Sequence, residues 1–558
     1  MQASTTARSQ PAPAAAASAG ASAAGTSVPG TVREAAFEVM RRHGMTRIFG
    51  NPGSTEIPFL TDLPGDFEFV LALHEGSVVG IASGYALATG APVFVNLHTA
   101  PGLGHAGNAI AGARDSRAPL VIVVGQQDRA QSAMAPFLTG RDLERLAGSY
   151  PVWVTTPARP QDLPGSIARA WHEARTARGP ALVIAPMGDW AQAADPNAVG
   201  APERLVLPTG ADPTVAAELA DLIADARSPA LVVGAGCDST EGWAGTVALA
   251  ERLGSPVWQE AFSDRAGFPQ DHVLWAGHLP WRRSQMRATL APHDLVIVLG
   301  AGALRLYIYE PGPYLEPTTR IAVVSADAEQ LHRSAATLAL LGPPGAIAAA
   351  AAGLLDARPF DQGAPALHAA PPSPDPPGAG EPLRAGHVLA ELAARLPPEA
   401  IVVEECPSNR PELLERIHAR TPMGLVSNAN GGLGFGISSA IGLRMGAPTR
   451  PVVAVLGDGS TMYAIQALWS AARYCCGVAL IVLANGSYAV MDALARDAGG
   501  TGAWPGFGEV SIATIAEGFG CPAQRISTHK ELISTLDELV PTLASREAPL
   551  LLEIAVAP

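Results

Sequence analysis

The sequence predicts an α/β protein whose domains are doubly wound parallel sheets with helices on both faces. Its 558 residues exceed what one hydrophobic core usually supports, so about three or four domains are expected. Short apolar runs such as PLVIVVG, DLVIVLG and PVVAVLG have the length of buried strands. Segments with helical apolar spacing separate these runs throughout the chain, and this alternation is typical of parallel sheets.

Composition and charge exclude several classes of function. The chain is 48% hydrophobic and 16% charged, and it has no apolar run long enough to span a membrane. A net charge of −14 argues against nucleic acid or an anionic membrane as the main partner. The five cysteines show neither a zinc spacing nor a disulfide framework, which indicates a reduced, cytoplasmic protein.

Changes in composition divide the chain into five segments. Residues 1–28 are rich in Ala, Ser and Thr and lack the hydrophobic core of a signal peptide, which favours a disordered tail. The Pro/Gly/Ala-rich stretch 359–382 cannot form a packed element and is predicted to be a linker. The rest divides into an N-terminal domain at 29–198, a central domain at 199–358 and a C-terminal domain at 383–558.

The first and last domains share one sequence pattern. A strand, a glycine-rich turn, a small-residue helix and a second strand follow one another in residues 91–126 and again in residues 450–486. We therefore expect two similar α/β domains that flank a different one. Ligands of doubly wound sheets bind beyond the carboxyl ends of the strands, so two such domains facing each other would form a cofactor cleft.

An acid at the tip of an apolar strand indicates a metal site. Asp458 follows VVAVLG, and Asn485 follows the next strand, VALIVLA. The two strand ends of a right-handed strand–helix–strand unit are neighbours, and oxygen ligands there suit Mg²⁺ shared with phosphates. Gly457 and Gly459 allow close approach of the backbone, and Ser460 at the expected helix start could hydrogen-bond a phosphate. Taken alone, Gly-Asp-Gly is also an ordinary turn.

The motif GDGS…LANGSY resembles the metal–diphosphate motif of thiamine diphosphate (ThDP)-dependent enzymes. The resemblance implies ThDP with Mg²⁺ or Ca²⁺, and assigns the metal to Asp458, the Asn485 side chain and the Ser487 carbonyl. The chain departs from the family's Asn-Asn doublet at Ala484 but keeps the asparagine that matches the ligand. The other cofactor-binding positions that the resemblance implies are Asn51, Pro52, Gly53, Glu75, Ser408, Gly431, Leu433, Gly457, Gly459, Ser460 and Tyr488.

Longer stretches narrow the resemblance to the benzoylformate decarboxylases. GNPGSTEIPFL, LALHEGSVVGIASGYA, VNLHTAPGLGHAGNAI and NGGLGFGISSAIG carry it, and it runs over nearly the whole chain. It implies pyrimidine-binding, central and diphosphate-binding domains in chain order, and a homotetramer with the cofactor between subunits. It also implies decarboxylation of an aromatic 2-oxo acid to an aldehyde and CO₂, with carboligation as a further activity.

Glu75 stands between an apolar strand and an apolar helix in LALHEGSVVG. ThDP chemistry requires a carboxyl group, best placed in apolar surroundings, that hydrogen-bonds the pyrimidine ring and promotes loss of the thiazolium C2 proton. Read alone, Glu75 simply favours a helix N-terminus. Together with the distant GDGS motif, we interpret it as the activating acid.

The resemblance assigns further roles around the substrate. Ser54 would contact the substrate carboxylate and His98 would be an acid/base, although each read alone is an ordinary turn or strand-end residue. Tyr307, in ALRLYIYEPGPY, stands where the family has a second active-site histidine. Phenols donate hydrogen bonds at neutral pH but do not shuttle protons as imidazole does, so protonation and product release at Tyr307 would differ. The aryl pocket would be lined by Phe137, Leu138, Met491 and Leu494.

Three alternatives stay open. An acetolactate-synthase-like or aldehyde-lyase enzyme would form 2-hydroxy ketones instead of a free aldehyde. An NAD-dependent oxidoreductase would use VVGAGCDST at 232–240, but this motif lacks the third glycine of the dinucleotide fingerprint and a clear acidic partner. A catalytically silent relative would keep the fold as a binding protein, and the retained Glu75, Asp458 and Asn485 argue against it.

Overall fold

The structure is a computed structural model that describes residues 30–198, 200–361, 363, 367–378 and 380–557. The predicted tail at 1–28 lies outside these residues. The described chain forms three six-stranded sheets, and every strand pair in them is parallel. This confirms the predicted fold class. Within the described residues, no helix has the length and apolar character needed to cross a membrane.

The N-terminal sheet is the first of the three. Its strands are β1 Arg47–Asn51, β2 Glu68–Leu71, β3 Val93–Leu97, β4 Leu120–Gln126, β5 Trp153–Thr155 and β6 Pro180–Pro186. Its helices are α1 Val32–Arg42, α2 Ile57–Leu60, α3 Glu75–Thr89, α4 Thr99–His105, α5 Gly107–Asp115, α6 Leu143–Leu146 and α7 Leu163–Ala177. The strand order is β2-β1-β3-β4-β6-β5. Strands β3 and β6 are buried along their whole length, which explains their continuous apolar sequences.

The central sheet has a different order. Its strands are β7 Pro229–Val233, β8 Val257–Gln259, β9 Trp275–His278, β10 Leu295–Leu299, β11 Arg320–Ser325 and β12 Leu338–Leu341. Its helices are α8 Pro213–Ala224, α9 Thr240–Leu253, α10 Arg283–Leu290, α11 Ala328–His332 and α12 Pro344–Leu354. The strand order is β12-β11-β10-β7-β8-β9, which places the topological switch point between β7 and β10.

The glycines of VVGAGCDST lie at that switch point. A Cβ atom on Gly234 would lie 2.5 Å from the Ala301 side chain, and one on Gly236 would lie 2.7 Å from the Gly300 Cα. The loops after β7 and β10 therefore need small residues in order to pack on each other. This contact accounts for the motif without a nucleotide.

The C-terminal sheet repeats the order of the N-terminal one. Its strands are β13 Ile401–Glu405, β14 Leu425–Val426, β15 Val452–Gly457, β16 Ala479–Ala484, β17 Ala523–Ile526 and β18 Leu550–Ala555. Its helices are α13 Ala385–Ala393, α14 Arg410–Arg416, α15 Gly436–Gly446, α16 Asp458–Thr461, α17 Ala467–Arg473, α18 Ala489–Asp497, α19 Ile512–Gly518 and α20 His529–Leu539. The order β14-β13-β15-β16-β18-β17 agrees with the expected pair of similar domains.

Helices α3 and α15 join the two similar domains. Glycines let their backbones touch, because a Cβ atom on Gly84 would collide with the Ser439 carbonyl and one on Gly442 would collide with the Ile81 carbonyl. One hydrophobic cluster, which includes Ile81, continues across this contact. Because Glu75 begins α3 and NGGLGF leads into α15, the crossing fixes the relative positions of two segments that carry predicted cofactor-binding residues.

Candidate cofactor and active site

Asp458 is buried at the end of β15 with no basic partner among the described residues. Its Oδ1 accepts a hydrogen bond from the Gly459 N–H at 2.8 Å, and its Oδ2 accepts one from the Gly486 N–H at 2.7 Å. Burial raises the pKa of the Asp458 carboxyl, and the backbone N–H groups oppose this rise. A buried carboxylate that meets only partial charges fits a divalent cation.

Asn485 and Ser487 flank Gly486, whose N–H donates to Asp458, so all three residues lie on one turn. Pairing of β15 with β16 in the register Gly457↔Leu483 brings the two strand ends together, as predicted. Within the turn, the Ser487 N–H donates to Asn485 Oδ1 at 3.0 Å. Carboxylate, amide and carbonyl oxygens are the donors that Mg²⁺ prefers, so the residues present fit this ion.

The helix after Gly457 begins at Asp458, two residues earlier than predicted, because an acid at its first position suits the free N–H groups. The predicted hydrogen bond from Ser460 to a phosphate stays a prediction, because the structure shows this hydroxyl in contact with protein atoms. Ser460 is buried, and its Oγ donates to the Glu405 carbonyl at the end of β13 at 2.6 Å. Gly459 packs under the Tyr488 ring, where an added Cβ would lie 3.4 Å away. Contact of the Gly457, Gly459 and Ser460 backbone with a diphosphate stays a prediction.

Glu405 is a residue that the sequence analysis missed. It is buried, and its carboxylate accepts hydrogen bonds from the N–H groups of Gly434, Phe435 and Gly436 at 2.8, 3.0 and 3.1 Å. Burial raises the pKa of Glu405 to about 8, although these three N–H groups lower it. Glu405 therefore ties the NGGLGF segment to the end of β13. The signal was present in AIVVEE, which places acids at a strand end as VLGD does.

The predicted aminopyrimidine contacts lie on a glycine-rich segment. Gly431 has a φ of +73°, which glycine adopts without strain. The Leu433 carbonyl accepts a hydrogen bond from Asn108 Nδ2 at 2.9 Å, which anchors this segment to the N-terminal domain. Ser408 follows β13, and its Oγ accepts a hydrogen bond at 3.1 Å from the Val490 N–H at the start of α18.

Glu75 begins α3, and side chains hold both of its carboxylate oxygens. It is buried, with Oε1 3.2 Å from Asn51 Nδ2 and Oε2 3.1 Å from His105 Nδ1. The preceding His74 caps the helix by accepting from the Gly76 N–H. The structure thus brings the predicted residues Asn51 and Glu75 together and adds His105, which the sequence analysis missed.

His98 forms a pair with Glu56, a second residue that the sequence analysis missed. His98 Nδ1 lies 2.9 Å from Glu56 Oε2, and Glu56 is 1% exposed. The Thr55 hydroxyl and the Gly53 N–H also hydrogen-bond this carboxylate. Donation of Nδ1–H to Glu56 leaves Nε2 as the free ring nitrogen, the arrangement of an oriented acid/base. Glu56 stands three residues after Gly53, a capping position that indicates a helix start but not a partner for His98.

The other N-terminal candidates surround this pair. Pro52 and Ser54 are exposed beside Gly53, whose backbone packs on the His98 ring. Leu138 has a φ of +65°, and its carbonyl accepts from Thr99 Oγ1 at 3.4 Å, next to His98. Its neighbour Phe137 is 87% exposed, so a single chain does not enclose the predicted aryl pocket.

Tyr307 packs against aromatic side chains of the central domain. Tyr307 is 64% exposed, and its ring meets the rings of Phe262 and Trp281 edge-on, with centroids 6.3 and 6.0 Å apart. Arg282, which follows Trp281, forms an ion pair at 2.6 Å with Asp497 at the end of α18. That helix carries the predicted pocket residues Met491, which is 42% exposed, and Leu494.

The candidate residues therefore form two groups. One contains Glu75 and His98, and the other contains the Asp458 turn. Among the described residues, no hydrogen bond joins the first group to the Asp458 turn.

Three family models match successive parts of the chain. They are the N-terminal TPP binding domain (30–143), the central domain (216–351) and the C-terminal TPP binding domain (413–554) of the thiamine pyrophosphate enzymes. The chain belongs to this family of ThDP enzymes. ThDP is accordingly its cofactor. The N-terminal match includes Glu75 and His98, and the C-terminal match includes Asp458 and Asn485.

Individual relatives of this ThDP enzyme cover nearly its whole length. Benzoylformate decarboxylase of Pseudomonas aeruginosa is 36% identical over 94% of this chain and 98% of its own. A putative acetolactate synthase large subunit of Mycobacterium tuberculosis is 28% identical over 88% of this chain and 93% of its own. The solved structure of Rhodococcus jostii 4-hydroxybenzoylformate decarboxylase superposes with a TM-score of 0.88 at 32% identity, covering 94% of this chain and 99% of that one.

Proposed function

We propose that this ThDP enzyme decarboxylates an aromatic 2-oxo acid without oxidation and releases an aldehyde and CO₂. The observation that carries the proposal is that Glu75 and His98 both adjoin Gly102. A Cβ on Gly102 would lie 3.5 Å from the Glu75 side chain and 3.4 Å from the His98 Cβ. An activating acid and an oriented acid/base therefore share one end of the sheet, and the two aryl-oxo-acid decarboxylases among the relatives support an aromatic substrate.

The C-terminal group would bind the cofactor. Asp458, Asn485 and Ser487 would hold Mg²⁺ or Ca²⁺ and, through it, the diphosphate. When bound, ThDP supplies the nucleophilic carbon and the electron sink for the electron pair that is released as CO₂ leaves. The backbone of Gly431 and Leu433 would orient the aminopyrimidine.

The N-terminal group would act on the cofactor and the substrate. Glu75 would carry a proton on the carboxyl oxygen that faces the pyrimidine, held in place by Asn51. Ser54 would hydrogen-bond the substrate carboxylate. His98 would exchange a proton at Nε2 while Glu56 holds its Nδ1–H. The aryl group would pack on Phe137, Leu138, Met491 and Leu494, with Tyr307 as a hydrogen-bond donor at their edge.

We also propose that the two groups meet between subunits of a homotetramer in the cytoplasm. The exposed Phe137 and Met491 side chains and the lack of a link from Glu75 to the Asp458 turn support completion by a second chain. The five free cysteines support the location. Mixing Glu75→Gln and Asp458→Ala proteins under subunit exchange should restore activity, because some mixed sites would contain both native residues. Mixtures as inactive as their parents would contradict shared sites.

The substrate class is tested by product analysis with purified protein, ThDP and Mg²⁺. We expect benzaldehyde and CO₂ from benzoylformate, with slower turnover of pyruvate, and hydroxy ketones when an aldehyde acceptor is added. Rapid formation of acetolactate from pyruvate with no benzaldehyde would instead favour the acetolactate-synthase-like alternative. Bound ThDP without turnover of any 2-oxo acid would favour the silent relative.

A further inference from the structure

Three metal-binding side chains converge at the start of α3. His74, Glu75 and His105 each offer a ligand atom, and these atoms all lie within 4.8 Å of one another. The two imidazole rings are stacked, with centroids 5.3 Å apart and an interplanar angle of 21°. The Glu75 side chain is 10% exposed and that of His105 is 60% exposed, so the group has a buried floor and an open side.

Existing contacts already orient these three side chains. His74 Nδ1 accepts from the Gly76 N–H at 3.1 Å, which leaves Nε2 free to bind. His105 Nδ1 lies 3.1 Å from Glu75 Oε2, where a metal ion would replace the shared proton. Asn51 holds the other carboxylate oxygen, which is the kind of outer contact that fixes a metal ligand.

We propose that His74, Glu75 and His105 form a site for Zn²⁺ or a similar transition-metal ion, distinct from the Mg²⁺ site at Asp458. Two imidazoles and a carboxylate with one open position form a typical zinc ligand set, whereas Mg²⁺ prefers oxygen ligands alone. Because the ion would bind the Glu75 carboxylate, its binding and activation of ThDP by Glu75 exclude each other. The site is therefore inhibitory and reversible, whichever 2-oxo acid the enzyme uses.

A second histidine–glutamate group provides a matched comparison. His368 Nε2 lies 3.0 Å from Glu415 Oε2, and the His368 and His418 ring centroids are 6.1 Å apart at an angle of 49°. Within the described residues, only the group at His74 brings three such ligand atoms within 4.8 Å of one another. The group at His368 has the same residue types without that convergence.

The first experiment measures Zn²⁺ binding by calorimetry to full-length protein freed of ThDP and metal. We expect His105→Asn and His74→Asn each to weaken binding by more than about tenfold, the least that even outer contacts of a metal contribute. Asparagine keeps the helix cap at position 74, so folding should be retained. His368→Asn should bind Zn²⁺ as the wild type does. Equal affinity in the wild type, His105→Asn and His74→Asn would overturn the proposal.

The second experiment separates this site from the Mg²⁺ site. Asp458→Ala should retain the His105-dependent Zn²⁺ binding, and its loss in that variant would overturn the assignment to His74, Glu75 and His105. In the wild type, saturating ThDP with Mg²⁺ should weaken Zn²⁺ binding, and micromolar Zn²⁺ should inhibit the holoenzyme. His105→Asn, compared with its own zinc-free rate, should resist this inhibition. Unchanged Zn²⁺ affinity in the presence of ThDP and Mg²⁺ would contradict mutual exclusion.

Discussion

The N- and C-terminal domains share one strand order but place different groups at the same topological position. His98 follows β3 in the first, and Asp458 follows the equivalent strand β15 in the second. Side chains hold His98, above all Glu56, whereas backbone N–H groups of Gly459 and Gly486 hold Asp458. Because Glu56 binds one nitrogen of His98, the other nitrogen is available for proton transfer. Because Asp458 has no basic partner among the described residues, its charge is available to a cation. The surroundings of a strand end therefore decide its chemistry.

Helices α3 and α15, which cross between these domains, each begin beside a buried glutamate. Glu75 begins α3, and the Glu405 carboxylate lies at the start of α15. Three backbone N–H groups bind Glu405, whereas the side chains of Asn51 and His105 bind Glu75. Glu405 is therefore committed to the fold by three backbone contacts, whereas Glu75 keeps its carboxylate available to a ligand.

The largest effect is expected from Asp458→Ala, which removes the cation site. We expect no measurable ThDP binding in the presence of Mg²⁺ and no activity, with an unchanged circular dichroism spectrum. Calorimetric titration with ThDP checks this. Asp497→Asn is the matched control, because it removes a nearby exposed carboxylate whose ion pair is worth little, and its ThDP affinity should be that of the wild type. Retained affinity in Asp458→Ala would contradict the assignment.

Glu75→Gln should separate activation from binding. We expect kcat to fall by about 10²–10⁴-fold, the usual contribution of acid–base catalysis, with ThDP affinity unchanged. Steady-state kinetics and titration with ThDP measure the two effects. Glu68→Gln, at an exposed carboxylate on β2, is the control and should keep full activity. A variant that turns over at the wild-type rate would show that Glu75 is not the activating acid.

Glu56→Gln should weaken the orientation of His98. We expect kcat to fall by about 10- to 100-fold, less than the full acid–base contribution, with little change in KM. The pH–rate profile should also change, because the imidazole loses its carboxylate partner. Thr55→Ser keeps the hydroxyl and should behave as the wild type. An unaltered pH profile in Glu56→Gln would leave Glu56 with a purely structural role.

Tyr307→Phe should have a smaller effect. Loss of one hydrogen bond worth about 1 kcal/mol would lower kcat about fivefold. The matched control is Tyr309→Phe, at a side chain that is 84% exposed. Identical kcat in the wild type and Tyr307→Phe would show that the Tyr307 hydroxyl does not contribute, and that only the ring contacts with Phe262 and Trp281 matter.

The last prediction concerns Glu405 and appears in stability instead of activity, as a pH dependence of the free energy of unfolding. Because burial raises its pKa from 4.5 to about 8, the folded state retains the proton, and stability is lost as pH rises through that window. In this pH range, the free energy of unfolding of Glu405→Gln should increase relative to that of the wild type by up to about 1.4 kcal/mol per pH unit. Urea denaturation at several pH values measures this. Parallel profiles for the two proteins would show that Glu405 is ionised when folded.

The fold and the turn proposed to bind the metal could be predicted from the sequence, because both depend on local patterns. Apolar runs predict the buried strands. The neighbouring strand ends of a strand–helix–strand unit are enough to bring Asp458 next to the turn after β16. The contacts of Glu56, His105 and Glu405 depend instead on segments that meet only in the folded domain. The hydrogen bond from the Ser460 hydroxyl to the Glu405 carbonyl could not be predicted either, because Glu405 lies at the end of another strand.

The central claim is that Glu75 activates a cofactor that Asp458 holds. Its most direct test is the rate at which the C2 proton of enzyme-bound ThDP exchanges with D₂O, measured by rapid quench and NMR. We predict fast exchange on the wild type and much slower exchange on Glu75→Gln at equal occupancy by ThDP and Mg²⁺. Equal exchange rates on the two proteins would contradict the account.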